Sequence, residues 1–185
     1  MKRGLWIALG SLALVATGVF AGRACLRLEW IERQVRAKFP GVQQMSTREL
    51  ARRLAAGEKP VLVDVRRAEE FAVSHLEGAR RLDPGSENPE LPGVDRGAPI
   101  VTYCSVGWRS SQMAARLQQA GYRDVHSLAG SLFKWARENR PVFQGEGGAE
   151  RRVSRIHPYG PAWSFLVPPE RRAYLPAEAA AAPRP

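Results

Sequence analysis

The sequence predicts an α/β fold in which an open, mostly parallel sheet carries helices on both faces, and three observations support this prediction. Short apolar runs rich in β-branched residues occur at 61–65, 100–103 and 125–128, and each is typical of a buried strand. Helical segments lie between these runs, and alternation of strand and helix favours a parallel sheet. The chain has 185 residues, 44% of them hydrophobic, which is enough for the core of one ordinary domain.

The N-terminal residues 1–24 predict a membrane anchor or a secretory signal. Lys2 and Arg3 precede an uncharged stretch at 4–22, which as a helix would be about 28 Å long, close to the hydrocarbon thickness of a bilayer. The residues at 19–21 also offer a signal cleavage site, so both alternatives stay open.

The basic residues after this segment indicate a side of the membrane. The net charge of the chain is +10, and residues 1–59 carry 11 Lys and Arg against 4 Glu. Since the positive-inside rule counts Lys and Arg, the excess within 23–38 favours a bacterial-type inner-membrane protein with a single pass and a cytoplasmic domain; a periplasmic domain stays open. Residues 60–143 are almost balanced in charge, which argues against a nucleic acid partner.

Two helices are predicted before the first of these strands. The connector at 25–44 has apolar residues at helical spacing, which predicts an amphipathic helix. These apolar residues are Leu28, Ile31, Val35 and Phe39. A second helix is expected to start at the capping box formed by Ser46 and Glu49 and to stop at Gly57.

Residues 45–143 are predicted to hold the α/β domain. Its expected elements are strands at 61–65, 79–82, 100–103 and 125–128, helices at 67–73, 110–120 and 131–139, and a loop at 83–98. Residues 144–185 contain half of the 14 prolines and end in an Ala-Pro tract, so a Pro/Ala-rich extended tail is predicted there. The aromatic segments of this tail, at 157–159 and 163–166, are expected to pack on the domain or to bind a partner.

The segment 100–111, IVTYCSVGWRSS, is where chemistry is expected. A strand ends at Cys104 and a helix is expected to begin near Ser110, which would cap it, so the loop between them lies at the carboxyl end of a parallel strand, where open sheets bind ligands. The loop N–H groups and the helix N-terminus supply positive partial charge, and Arg109 adds a full charge. This setting favours the nucleophilic thiolate form of Cys104, and Gly107 permits a sharp turn.

Three segments together resemble the rhodanese family of sulfurtransferases, over about residues 45–143. VLVDVRRAEEFAVSHLEGA at 61–79, CSVGWRS at 104–110 and AGYRDVHSLAGSLFKW at 120–135 occur in the order of the family's motifs. The resemblance implies the rhodanese-like form of the open parallel sheet. The chain departs from the family pattern at three turn positions, Ser74, Glu77 and Ser131. The departures touch neither the nucleophile nor the loop length.

The resemblance also implies a two-step sulfur transfer without a cofactor or a metal. Cys104 would take sulfane sulfur from thiosulfate or a persulfide donor, and a thiol or cyanide would then accept it from the Cys104 persulfide; a protein could be that acceptor. The candidate catalytic residues are Cys104 and Arg109. The candidate substrate-binding residues are Ser105, Val106, Gly107, Trp108, Arg109 and Ser110. The residues expected to give structural support beneath the loop are Asp64, Arg66 and His75.

Two alternatives belong to other functional classes. A phosphatase or arsenate reductase of the cell-division-cycle type would hold His-Cys-x5-Arg, whereas here four residues separate Cys104 from Arg109 and Tyr103 replaces the histidine. The shorter loop favours a single sulfur over a tetrahedral phosphate. The second alternative is a non-enzymatic rhodanese-fold module that binds a partner at the membrane, and the intact Cys104 and Arg109 argue against it. Two cysteines exclude a disulfide scaffold.

Overall fold

The computed structural model describes residue 24 and residues 26–179 of the chain. Helix α1 spans 26–38 and buries Leu28 and Val35, with Ile31 half-buried on the same face. This confirms the amphipathic helix that the apolar spacing predicted. Because the buried face of α1 packs on the domain, the connector is part of the folded unit.

The predicted localisation, a single N-terminal pass in an inner membrane, is corrected by the structure. Across residues 24 and 26–179, no helix combines the length and the apolar character that crossing a bilayer requires. Helix α1 rises only about 20 Å at 1.5 Å per residue, against a hydrocarbon core of about 30 Å, and charged residues such as Arg27, Glu32 and Arg36 lie along it. Residues 4–22, on which the prediction of an anchor or a signal rested, lie outside the described residues.

Five parallel strands form the central sheet, in agreement with the predicted fold class. They are β1 (Gln43–Met45), β2 (Val61–Asp64), β3 (Arg80–Arg81), β4 (Ile100–Tyr103) and β5 (Val125–Leu128). Their order across the sheet is β1-β5-β4-β2-β3. Strand β4 is central, because Thr102 pairs with Val63 on one side and with Ser127 on the other. The carboxyl end of β4 therefore opens at the middle of the sheet edge.

Helices cover both faces of this sheet. They are α2 (Thr47–Ala55), α3 (Ala68–Val73), α4 (Trp108–Gln119) and α5 (Ser131–Arg137), in addition to α1. Ser46 caps α2 as predicted, since its hydroxyl accepts the Glu49 N–H at 3.1 Å. The Glu49 carboxylate pairs with Arg52 and Arg53 instead of completing the expected capping box.

Alternate residues of the inner strands enter two apolar clusters, one on each face of the sheet. Leu62 and Val101 belong to the cluster that includes side chains of α2 and α5. Val63 and Ile100 belong to the other cluster, with Met113 of α4. Burial on both faces explains why the strands are continuous apolar runs in the sequence.

The segment after α5 forms short elements where an extended tail was expected. It contains the antiparallel hairpin of β6 (Val142–Gln144) and β7 (Arg151–Val153), then α6 (Pro161–Ser164), a 3-10 turn at Pro169–Arg171 and α7 (Pro176–Ala179). Ile156, Leu166 and Val167 are fully buried in the same cluster as Leu132 of α5. Prolines begin these short helices, a position where the missing N–H costs nothing.

Two local features differ from the sequence-based expectation. Strand β1 was not predicted, because its sequence QQM lacks a β-branched run; parallel pairing with β5 holds it in the sheet. Helix α4 begins at Trp108 with Gly107 as its N-cap. Ser110 therefore lies in the first turn of α4, and the prediction that it caps the helix is wrong.

Candidate active site

Cys104 lies where the central strand ends and the loop to α4 begins. Its side chain is almost fully buried, at 1% exposure. Gly107 has φ 108°, a left-handed conformation that favours glycine, and this turn starts α4 at Trp108. The prediction that Gly107 makes the sharp turn is confirmed.

Two groups from the start of α4 approach the thiol. The Gly107 N–H donates to the Cys104 sulfur at 3.2 Å, and the Ser110 hydroxyl lies 3.7 Å from the same atom. The Ser110 hydroxyl also contacts the Gly107 carbonyl at 3.1 Å and the Ser127 hydroxyl at 2.9 Å. The sulfur thus sits at the N-terminal end of a 12-residue helix, where negative charge is stabilised.

Helix α5 holds the other side of the loop. The N–H groups of Leu132 and Phe133 donate to the carbonyl oxygens of Cys104 and Ser105, each at 3.0 Å. The Ser131 hydroxyl accepts the Cys104 N–H at 3.1 Å and donates to the Leu128 carbonyl at 3.0 Å. Because the first carbonyl oxygens of the loop are bound to α5, the backbone next to the nucleophile is fixed.

A buried carboxylate holds Arg109 by two hydrogen bonds. Arg109 donates from Nη1 to one oxygen of Glu70 at 2.9 Å and from Nη2 to the other at 3.0 Å, and Nη2 also donates to the Ser105 hydroxyl at 3.0 Å. Burial opposes ionisation of Glu70, but the hydrogen bonds and charge of Arg109, with the charge of Arg66, hold its pKa below the ordinary value. The pair is therefore ionised at neutral pH.

The thiol opens into a cavity of about 290 Å³. Besides Cys104, Ser105 and Arg109, the cavity has apolar and aromatic walls. These walls include Ile31, Trp108, Phe133, Tyr159 and Trp163. The cavity lies at the strand end where a ligand site was predicted, and its walls come from well beyond the loop.

Comparison with known proteins relates this site to a family. The family described as the rhodanese-like domain matches residues 46–138, half of the chain. The chain is 37% identical over 102 residues to the thiosulfate sulfurtransferase GlpE of Pseudomonas putida, covering 55% of this chain and 92% of that relative. It is also 33% identical over 106 residues to a sulfurtransferase of Allochromatium vinosum, and this match covers 57% of this chain and 99% of that relative. The chain belongs to the rhodanese-like domain family.

The rhodanese-like fold and the enzyme class follow from these relatives. A solution NMR structure of a rhodanese-like domain from Anabaena sp. covers 62% of this chain and 93% of its own, with a TM-score of 0.51 at 23% identity, and agrees with the predicted fold class. At 33–37% identity to sulfurtransferases, the chain is a rhodanese-type sulfurtransferase. The enzyme assignment confirms the prediction over the phosphatase and the non-enzymatic module.

The residues predicted to support the rhodanese loop, Asp64, Arg66 and His75, are all buried, Asp64 and Arg66 as a pair and His75 with contacts of its own. Arg66 donates to the Asp64 carboxylate at 2.6–3.0 Å, and also to the Ser74 carbonyl. Burial opposes the charge of Arg66, but Asp64 raises its pKa above the ordinary value. His75 contacts the Phe71 carbonyl at 3.0 Å and stacks on the Phe71 ring at 3.9 Å. Such contacts favour a structural role, which stays a prediction for all three residues.

Of the departures from the family pattern, Ser131 is the one that touches the site. Its φ is +48°, a left-handed conformation that explains why glycine is usual at this position. The serine nevertheless supplies a hydroxyl that glycine lacks, and this hydroxyl binds the backbone of Cys104. Glu77 is exposed, and Ser74 is buried beside Arg66 with φ −173°, an extended conformation open to any residue.

Sequence reasoning assigned no site role to Glu70 or to the residues of the pocket wall outside the loop. Glu70 stands in the quoted 61–79 segment, and its pairing with Arg109 across 39 positions has no local signal. Tyr159 and Trp163 lie in the two aromatic segments of the predicted tail, but no sequence pattern places them near the thiol. Among the described residues, no group of three or more His, Cys, Asp and Glu is placed to hold a metal ion.

Proposed function

We propose that this rhodanese-type sulfurtransferase moves sulfane sulfur through a persulfide on Cys104. The observation that carries the proposal is the 3.2 Å hydrogen bond from the Gly107 N–H to the Cys104 sulfur at the end of the central strand. An N–H donor in this position stabilises negative charge on sulfur, in the thiolate and in the persulfide alike.

In the first half-reaction, the Cys104 thiolate attacks the outer sulfur of the donor. With thiosulfate, the S–S bond of the donor breaks, its electron pair leaves with sulfite, and a new S–S bond joins the outer sulfur to Cys104. No proton moves in this step, so no general base is needed once the thiol is ionised. The names of the Pseudomonas relatives support thiosulfate as the donor.

In the second half-reaction, the acceptor attacks the terminal sulfur of the persulfide. The bond between that sulfur and Cys104 breaks, and its electron pair restores the Cys104 thiolate. Cyanide would leave as thiocyanate, and a thiolate on a small molecule or on a protein would leave as a persulfide. The charges balance in both cases, since one anion enters and one leaves.

The loop residues have distinct parts in this proposal. Arg109 orients the loop through its bonds to Glu70 and Ser105 and offsets part of the charge of an anionic donor. The terminal sulfur is placed among the backbone N–H groups of the loop, with the Ser110 hydroxyl as a further donor. The residues that supply this backbone are Ser105, Val106, Gly107 and Trp108.

Replacement of each cysteine tests the proposal. Cys104→Ser is expected to abolish thiosulfate:cyanide transfer, whereas Cys25→Ser, outside the described residues, is expected to retain it. Mass spectrometry of the thiosulfate-treated wild type should find one added sulfur atom on the peptide that contains Cys104. Equal loss of transfer in the two variants, or no added sulfur on that peptide in an active preparation, would overturn the Cys104 persulfide.

A further inference from the structure

The pocket above Cys104 is completed by residues that lie outside the family match at 46–138. Ile31 comes from α1, Tyr159 precedes α6 and Trp163 lies in α6. Tyr159 and Trp163 are 41% and 37% exposed, so a ligand that enters the pocket from solvent meets their rings. The C-terminal segment thus forms one wall of the site, which we call the aromatic wall, defined as Tyr159 and Trp163.

The aromatic wall is held in place by specific contacts. Tyr159 has φ 67°, which is uncommon for a residue with a side chain, and its N–H donates to His157 Nδ1 at 3.0 Å. The Tyr159 and Trp163 rings meet edge to face, with centroids 6.3 Å apart. A strained backbone kept by surrounding contacts indicates a position with a function to serve.

The formal positive charge in the pocket is largely compensated by Glu70. Among the lining residues that the structure describes, Arg109 carries the only formal positive charge, and both its terminal nitrogens bind Glu70. The Tyr159 ring lies 5.0 Å from Arg109 Cζ. Beside the pocket, Lys134 pairs with Glu32 at 2.8 Å. A doubly charged, strongly hydrated donor such as thiosulfate therefore meets apolar walls and little net positive charge.

We propose that Tyr159 and Trp163 are specificity-determining residues, and that with Trp108 they bind the apolar body of an organic sulfane-sulfur donor carrying one negative charge. Thiosulfonates and organic persulfides have this chemistry. The inference rests on the proposed function, since it assigns a donor class to the same thiol. At roughly 30 Å³ per water-sized group, the cavity of about 290 Å³ holds about ten such groups, enough for an aryl thiosulfonate.

The reaction with such a donor balances in the same way as with thiosulfate. The Cys104 thiolate attacks the outer sulfur of a thiosulfonate, the S–S bond of the donor breaks, and the electron pair leaves with the organic sulfinate. The persulfide forms on Cys104, and the apolar group of the sulfinate stays against the aromatic wall until release. One monoanion is consumed and one is formed.

The test compares two donors on the full-length chain, with cyanide as the common acceptor. Thiocyanate formation gives kcat/KM for benzenethiosulfonate and for thiosulfate. Tyr159→Ala and Trp163→Ala are expected to lower kcat/KM for benzenethiosulfonate about tenfold or more, because the phenyl ring of the donor loses its apolar contact. The value of kcat/KM for thiosulfate should change less than about threefold. Trp163→Phe should restore most of the loss. Phe165→Ala is the matched control, since Phe165 is similarly exposed, at 39%, in the same segment.

Each result separates this inference from the persulfide proposal. If kcat/KM falls equally for both donors in the Tyr159 and Trp163 variants, the aromatic wall is structural. If kcat/KM falls for neither donor, the wall contacts no donor. Either result overturns the assigned specificity. Equal loss in Phe165→Ala would also overturn it. Cys104→Ser is assayed with thiosulfate in the same experiment. Loss of transfer in this variant supports the persulfide proposal whatever the wall variants do, and retained transfer would overturn that proposal.

Discussion

At the scale of single residues, the orientation of the Arg109 guanidinium depends on Glu70. Glu70→Gln removes the negative charge that both terminal nitrogens of Arg109 bind, and leaves the guanidinium poorly compensated in a half-buried position. We expect this change to lower the free energy of unfolding at pH 7 by about 1.5–3 kcal/mol, the usual worth of hydrogen bonds to charged groups, and to lower sulfur transfer because Arg109 loses its orientation. Urea titration and a transfer assay measure the two effects.

The same pair makes part of the stability depend on pH. Since the pKa of Glu70 in the folded chain lies below its ordinary 4.5, the unfolded chain binds this proton first as the pH falls. The contribution is therefore complete above pH 4.5 and is lost as the pH falls through the lowered pKa. The stability difference between wild type and Glu70→Gln should shrink below pH 4.5. Glu69→Gln, at an exposed neighbouring carboxylate, is the matched control for the loss of one negative charge.

Ser131 combines an unfavourable backbone conformation with a useful hydroxyl. Ser131→Ala keeps the left-handed φ of 48° and loses the bond to the Cys104 N–H, so we expect a loss of about 1–3 kcal/mol. Ser131→Gly loses the same bond but adopts this φ freely, and should be less destabilised than Ser131→Ala. Chemical denaturation of the two variants gives the order, and a more stable Ser131→Ala would contradict this account.

At the scale of elements, the loop is clamped at both ends. Its first carbonyl oxygens bind the N-terminus of α5, and its last residue caps α4. One glycine inserted between Val106 and Gly107 must therefore displace the Gly107 N–H from the sulfur, and hydrogen bonds fade beyond about 3.2 Å. We expect thiosulfate:cyanide transfer to fall at least tenfold. Undiminished transfer in the insertion variant would show that this N–H is dispensable.

The elements of the domain were predictable because their signals are local. A β-branched run predicted β2, β4 and β5, and Ser46 marked the start of α2. Strand β1 could not be predicted in this way, because it depends on pairing with β5. The start of α4 was placed wrongly, because a left-handed glycine begins the helix where a serine cap was expected. For the same reason, the sequence indicates Cys104 and Arg109 as candidates, which share one loop, whereas Glu70 pairs with Arg109 across 39 positions and has no local signal.

At the scale of the whole molecule, the segment after residue 143 completes the core. A chain that ends there loses Ile156, Leu166 and Val167, each fully buried against the α5 side of the sheet. Loss of each such side chain costs roughly 2–5 kcal/mol or somewhat less for valine, so the shortened chain should unfold at a much lower temperature than wild type. A chain that ends at 179 keeps every described residue and serves as the control. Unchanged thermal unfolding of the shorter chain would contradict this role.

The composition of this C-terminal segment did not predict its short packed elements. Proline content predicted an extended tail, yet Pro161, Pro169 and Pro176 each begin a short helical turn, and the apolar residues between them are buried. No periodic pattern announces such packing, because each element is only three or four residues long. The fold class could thus be predicted from strand–helix alternation, whereas the closure of the pocket needed the three-dimensional contacts.

The order of synthesis has a consequence for a site built from distant parts of a chain. Cys104 leaves the ribosome well before Tyr159 and Trp163, so the nascent chain holds its nucleophile without the wall that later encloses it. Ile31, Trp108 and Phe133 are made earlier, and the aromatic wall is added to them only with the later segment. A chain shortened before residue 159 would therefore carry a thiol without the aromatic wall, whereas a chain that includes Tyr159 and Trp163 presents both rings to a reactant that approaches Cys104.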